Sequence, residues 1–501
     1  MRILLAGIPG ILERPLAQAL AGHHQLLTFT GDTRSLADCE AATDCDVVIH
    51  GLAGVDGESD RLDAATRGTW NLLTTTRARR YVLLSSMDIY TQYDAGWHVD
   101  ESWSPRPTTD IDQLAPYLAE VASREISRNR PIECRVLRLD EIVLAETFAD
   151  GPVQPRWLHI DDAVAAIVRA ATVDRLSDEL ARWTTFNIAR GGPGSRFVTG
   201  RTATATGFEP AHRGEPSGAS PMDAPAFPSK PAPIENLPEP DRILVLGAGG
   251  PVGAAAIAVL RQDHRLRLAD RRSMAEVAAS PPQSEGAPVP SPPEPPHEER
   301  LVDITDAAAV RDAAQDMDAI INLTVVRPDP VQAFRVNTLG AWNVMQAAVH
   351  HGIRRVVHTG PILTLGKHPS GYVEDRDIAS NLPPRPGDNL YFVSKFLGQE
   401  ICRIFAEQHG IAVPALLFYN FVNPEVTRRR GQIPGPGNIS WDDSGRALAA
   451  AVRVPRMPEP FVVVHVLADA PHDRYRNDTA RHLLGWEPLD RLDDLWYRRE
   501  G

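Results

Sequence analysis

The sequence predicts an α/β protein made of two tandem, doubly wound parallel-sheet domains, and three observations carry that reading. The first is a repeat. MRILLAGIPGILERPLAQAL at Met1–Leu20 is answered by DRILVLGAGGPVGAAAIAVL at Asp241–Leu260, with Arg2/Arg242, Gly7/Gly247, Gly10/Gly250 and Leu20/Leu260 in register. Later landmarks, among them Gly68/Gly340, Trp70/Trp342 and Asn71/Asn343, keep the register at a larger offset. The second is the alternation of short apolar runs with helix-length segments in each copy, the pattern of β-α-β units. The third is a glycine-rich turn joining the first strand of the second copy to its first helix.

The elements of the second copy follow in order. Arg242–Leu246 reads as an apolar strand, Val252–Leu260 as a helix, Arg265–Ala269 and Ala319–Val325 as strands, Ala333–His350 as a long amphipathic helix and Val356–His358 as a strand. Proline marks the boundaries. About 200 to 240 the chain is rich in Pro, Gly and Ser with little apolar periodicity, which predicts a flexible linker between domains 1–199 and 241–501. A second such stretch, 280–299, predicts a disordered surface insertion in the second domain.

Composition narrows the function classes. The four cysteines, Cys39, Cys45, Cys134 and Cys402, form no CxxC pair and have no metal-ligand spacing with histidine, so no metal site and a reduced, cytoplasmic setting are expected. The apolar run at Met1–Ala6 breaks at Gly7 and is too short for a signal-peptide core, and no run reaches membrane-spanning length. A net charge of −13 argues against nucleic acid or an anionic membrane as partner.

The chemistry concentrates in the second copy. Gly247, Gly250 and Gly253 permit a tight turn and a close backbone approach to a pyrophosphate resting on a helix N-terminus, and Pro251 suits the first helical turn. Asp270 closes the second strand, where its carboxylate would accept hydrogen bonds from an adenosine ribose. Arg271 and Arg272 follow at once, so NAD is the expected cofactor while a 2′-phosphate, and hence NADP, stays open. Tyr391 and Lys395 lie four apart and share one helix face, where an ammonium would lower the phenol's pKa and make it a general acid or base.

In these residues the chain resembles two tandem members of the extended short-chain dehydrogenase/reductase family, the NAD-dependent epimerase/dehydratase group, with Rossmann-like domains. The resemblance rests on the GxxGxxG glycines and on Tyr391-Phe-Val-Ser-Lys395, the family's YxxxK. It implies that Asp303-Ile304 contacts adenine, that Asn337 is the family's helix asparagine at the cofactor, and that Lys395 serves both cofactor and catalysis. It also implies a Ser or Thr at the end of the fifth strand that hydrogen-bonds the substrate oxygen. There the second copy has Pro361 against Ser86 of the first, leaving Thr359, two residues earlier on the same strand face and about 6.6 Å away, as the candidate. The family's arginine after the sixth strand is replaced by Leu417. The C-terminal stretch Tyr475–Pro488 resembles the family's small substrate lobe, and Arg428–Arg430 before it could meet a diphosphate or form a solvated loop.

The first copy departs at complementary positions. Tyr117 aligns with Tyr391, but the lysine position is Val121 and Glu120 is adjacent. Glu13 stands where the third glycine belongs and is expected to crowd the helix and repel a pyrophosphate. Acidic pairs Asp161-Asp162 and Asp442-Asp443 read as helix N-caps in the two copies. The expectation is an NAD(P)-dependent epimerase, dehydratase or reductase acting on a hydroxyl or carbonyl of a small molecule, nucleotide sugars included, through the second domain. The alternative is a dinucleotide-binding regulatory or scaffold protein without turnover. The family's habit of pairing through the two long helices predicts an intramolecular pseudo-dimer.

Overall fold

The computed structural model describes residues 1–149, 154, 156–174, 182–192, 195–213, 230–362, 372, 375–433, 435 and 437–496. They divide into two units, Met1–Lys230 and Pro231–Gly501. In chain order the strands of the first unit are β1 (Arg2–Ala6), β2 (Gln25–Thr28), β3 (Val47–His50), β4 (Arg80–Ser86), β5 (Glu133–Leu139), β6 (Glu141–Val143), β7 (Trp157–His159) and β8 (Trp183–Ile188). Those of the second are β9 (Arg242–Leu246), β10 (Arg265–Asp270), β11 (Glu298–Leu301), β12 (Ala319–Asn322), β13 (Val356–Pro361), β14 (Val413–Phe418), β15 (Asn420–Val422), β16 (Asn438–Ser440) and β17 (Phe461–His465).

The main sheet of the first unit has the order β2-β1-β3-β4-β5-β8 and that of the second β11-β10-β9-β12-β13-β14-β17. Every pairing in both is parallel. Parallel sheets need both faces covered, which is why β3 and β12 are buried at every position. The strand order reverses between β9 and β12, and the glycine turn leaves β9 at that switch point, where doubly wound sheets open a crevice at their carboxyl edge. Among the described residues β2 is the edge strand of the first unit's main sheet, at the position where the second unit adds β11.

Several expected elements shift. β12 ends at Asn322 rather than Val325, because the Asn322 carboxamide accepts the Thr324 N–H at 3.2 Å and the Thr324 hydroxyl at 2.7 Å and turns the chain outward. The expected helix Ala333–His350 is two α-helical segments, Pro330–Phe334 and Gly340–His351, joined by a π-helical turn over Arg335–Leu339. The first unit repeats that turn at Ala64–Gly68.

The expected linker is built into the units at both ends. Gly200–Thr206 is helical, and the Thr202 hydroxyl donates to the Asn187 carbonyl. Asp162 accepts the N–H groups of Ala211 and His212, while Ile234 exchanges backbone hydrogen bonds with Met457. Residues 214–229 lie outside the described residues. The insertion 280–299 is likewise anchored: Glu298 and Glu299 already belong to β11, which pairs with β10. The acidic helix openings are not the caps: His159 and Ser440 cap the two helices, and the acidic pairs lie in the first turn, where one member of each anchors a later segment. Just as Asp162 ties down 211–212, Asp443 accepts the N–H groups of Leu489 and Asp490, both at 3.1 Å.

Candidate active site

The cofactor half of the site is set by where a side chain cannot fit. Gly247 has φ +81°, and a Cβ there would stand 3.0 Å from the backbone of Leu323 and Thr324. At Gly253 a Cβ would lie 2.6 Å from the Ala248 oxygen, whereas at Gly250 it would meet nothing nearer than 3.5 Å. The first and third glycines therefore bring loop, strand and helix together, and the second leaves open space at the helix N-terminus. That space belongs to a cavity of about 390 Å³ lined by Gly247, Gly250, Asp270, Asp303, Ile304 and Thr324, among others. Asp270 is fixed within it, accepting the Gly249 N–H at 3.0 Å and the Arg271 N–H at 2.7 Å. Asp303 accepts from both the N–H and the hydroxyl of Thr305. A glycine cradle under a helix N-terminus, with a carboxylate held at the end of the second strand, fits a dinucleotide.

Asn337 is placed differently from expectation. Its side chain is buried and already bonded, donating to the Val326 carbonyl at 2.7 Å and the Ser394 hydroxyl at 2.9 Å while accepting the Val326 N–H. It sits in the π-helical turn and ties the cavity-lining loop 324–326 to the Tyr391 helix. Its role in this geometry is to position that loop and helix.

The helix Leu390–His409 is capped by Asn389, whose carboxamide accepts the Phe392 N–H. Lys395 is buried on its inner face and donates to the carbonyls of Thr324 at 2.8 Å and Thr359 at 3.0 Å. Two of its three N–H bonds are thereby committed to the edges of β12 and β13. Burial pushes the Lys395 ammonium down to about 8, with Arg327 adding to the effect and Cys402 opposing it. Sequence reasoning missed Gly398, where a Cβ would stand 2.1 Å from the Asn337 oxygen. A glycine inside a helix was the available signal.

Tyr391 is half-buried at the start of this helix. Burial raises its pKa, and the group that opposes burial is Arg327, by charge and by hydrogen bond, rather than Lys395. The Arg327 guanidinium lies 5.2 Å from the tyrosine ring centroid. Thr359, the expected serine substitute, points elsewhere: its hydroxyl donates to the Asn322 carbonyl at 2.8 Å, linking β13 to β12. Pro361 ends β13 with no hydrogen to donate. The basic loop is also partly neutralised, since Glu285 of the insertion pairs with both Arg429 and Arg430.

In the first unit an ion-pair network takes over the equivalent place. Glu120, one residue before Val121, is buried, accepts the Ser85 hydroxyl at 2.6 Å and pairs with the buried Arg138 at 2.7 Å. Arg138 also hydrogen-bonds Tyr90. Glu13 does not crowd its helix as expected; it is exposed and lines a cavity of about 880 Å³. Among the described residues one group, His159, Asp161 and His212, brings metal-capable atoms together. The two imidazoles stack at 3.6 Å and 16°, so their in-plane lone pairs run side by side and do not converge on an ion, and His159 Nδ1 accepts the Asp161 N–H.

Residues 243–435 match the NAD dependent epimerase/dehydratase family. A uronate dehydrogenase of Agrobacterium fabrum is 30% identical over 194 residues, which are 38% of this chain and 68% of that protein. This chain belongs to the NAD-dependent epimerase/dehydratase family. An NAD-dependent glucose-6-phosphate dehydrogenase of Haloferax volcanii is 26% identical over 52% of this chain and 97% of its own length. Among solved structures, a glucuronic acid dehydrogenase from Chromohalobacter salexigens is 27% identical, covers 51% of this chain and 86% of its own, and superposes with a TM-score of 0.41. A uronate dehydrogenase mutant from Agrobacterium tumefaciens complexed with NAD is 25% identical over 51% of this chain and 86% of its own, with a TM-score of 0.40. No helix among the described residues is long and apolar enough to cross a membrane.

Proposed function

We propose that the second unit is an NAD-dependent dehydrogenase that oxidises a hydroxyl of a free sugar or sugar acid. The observation that carries this reading is the seat of Lys395, buried and bonded to the carbonyls of Thr324 and Thr359, one helical turn from Tyr391 and beside the glycine cradle. Relatives named as uronate, glucose-6-phosphate and L-arabinose dehydrogenases supply the substrate class. Gly247, Gly250, Gly253, Asp270 and the Asp303-Ile304 pair would hold NAD, which supplies a hydride acceptor when bound. Lys395 would hold the cofactor's sugar with its remaining N–H. Tyr391 would take the proton of the substrate hydroxyl. Because burial raises Tyr391, oxidation speeds up toward alkaline pH, and Arg327 limits how far.

The test is NADH formation on a panel of uronates, aldoses and sugar phosphates, with Tyr391→Phe as background. Turnover above that background supports the reading. None at all would leave the dinucleotide-binding regulatory protein, which Pro361 at the serine position favours. The pairing of the two units through their long helices stays part of the proposal, and small-angle scattering that shows independently tumbling units would remove it.

A further inference from the structure

In the dehydrogenase reading Arg327 only tempers the Tyr391 phenol, which leaves most of its donors without an assigned role. It follows the loop 324–326 that Asn337 ties to the Tyr391 helix, and it reaches back over the Tyr391 ring at 5.2 Å. It is exposed, and among the described residues it forms no ion pair. Asp329, two residues on, forms no ion pair with it among the described residues; its carboxylate caps the helix Pro330–Phe334 by accepting the Gln332 N–H at 2.8 Å. The result is a fixed positive charge beside the proton-accepting phenol, in a site that has lost its serine donor to Pro361 and whose Thr359 hydroxyl serves Asn322. A guanidinium has five N–H donors in a planar fork, and a hydrogen bond to the phenol leaves the others free for a carboxylate, which they match two at a time.

We propose that Arg327 is a specificity-determining residue that binds a carboxylate of the substrate, so that the site takes a sugar acid in preference to the matching neutral sugar. The inference rests on the dehydrogenase reading above and narrows its substrate class. Any substrate hydroxyl that bonds to Tyr391 sits within one sugar ring of the guanidinium, so a carboxylate on that same ring comes within its reach. Lysine keeps the charge but lacks the fork, and glutamine keeps a donor but lacks the charge, so the two substitutions separate charge from geometry.

The experiment compares kcat/KM for D-glucuronate and D-glucose, and for D-galacturonate and D-galactose, in the full-length protein and in Arg327→Gln and Arg327→Lys. The wild type should favour the acid. Arg327→Gln should lower that acid-to-neutral ratio roughly ten- to a hundred-fold, the range of a charge-assisted bidentate pair. Arg327→Lys should recover part of the ratio, and NADH affinity by fluorescence titration should be equal in all three proteins. A ratio unmoved by Arg327→Gln overturns the proposal, as does a loss confined to NADH affinity, which would assign the guanidinium to a cofactor phosphate. If no sugar is oxidised, the dehydrogenase reading falls by itself. Calorimetric binding of D-glucuronate against D-glucose to the NADH-loaded wild type and Arg327→Gln then decides the role of Arg327: selective binding lost in the variant supports it, and no selective binding refutes it.

Discussion

Replacing Gly398 by alanine sets two effects against each other, and their magnitudes decide the outcome. In a helix interior alanine is favoured over glycine by about 1 kcal/mol. The new Cβ, however, would stand 2.1 Å from the Asn337 backbone oxygen and 3.3 Å from the Ala341 methyl. The obstacle is a carbonyl inside a hydrogen-bonded helical turn, so the helix Leu390–His409 has to back away by roughly 1 Å to restore ordinary contact. Overpacking of this kind costs about 1–3 kcal/mol, enough to outweigh the propensity gain. The retreat also stretches the bonds from Asn337 and Thr338 to Ser394 and from Lys395 to Thr324 and Thr359. A displacement of that size at reacting groups lowers turnover about a hundred-fold. Calorimetric melting and NADH-linked turnover should therefore show a lower Tm, a large loss in kcat and a far smaller loss in NADH affinity. A raised Tm with wild-type kcat would show that propensity wins and that the contact yields, and the reasoning would be refuted.

The two glycines of the cradle should behave in opposite ways. Gly253→Ala forces a methyl to 2.6 Å from the Ala248 oxygen and should lower folding stability as well as NADH affinity, while Gly250→Ala, which meets nothing nearer than 3.5 Å, should leave folding stability within about 0.5 kcal/mol of wild type and weaken NADH alone. Equal melting losses in the two variants would sink the distinction. Asp270→Asn keeps an acceptor for the Gly249 N–H but loses the charge, so NAD affinity should fall roughly ten-fold and the preference over NADP should shrink; unchanged discrimination in titrations would remove Asp270 from the ribose. Burial holds Lys395 near 8 instead of 10.5, so the unfolded chain binds the extra proton between those values and stability contributed by this group rises with pH across that window. Below about 8 the penalty for burying the ammonium applies in full. Lys395→Met cannot titrate and should gain less stability than wild type over the same range, and parallel curves from denaturant melts on either side of it would contradict the assignment.

Periodicity and glycine placement made β9, β10, β12, β13 and two of the helices between them legible in advance, whereas β11 and β14–β17 were not placed. The strand Arg242–Leu246 depends on a local run of apolar residues and lies where expected, and Tyr391 and Lys395 share one helix as their spacing of four requires. The glycine cradle was legible for the same reason, since what Gly247 and Gly253 permit is written in their missing side chains. The seat of Asn337, by contrast, depends on a π-helical turn with no sequence signature, and Thr359 found its partner in a neighbouring strand. The flanks of the Pro-rich segments likewise gained order from distant groups, as Ile234 did from Met457 and β11 from β10.

The sequence by itself determined which residues can do chemistry: a phenol, an ammonium and three glycines at fixed spacings along one chain. Only the tertiary structure decided which charge reaches the phenol. A spacing of four puts Lys395 on the same helix face as Tyr391, yet the inward lean of that face buries the ammonium against two carbonyls, while a loop from another strand lays Arg327 over the ring. Charge acts through space, falling with distance and solvent, and the distance between residues 327 and 391 exists only once β12 and the Tyr391 helix have packed.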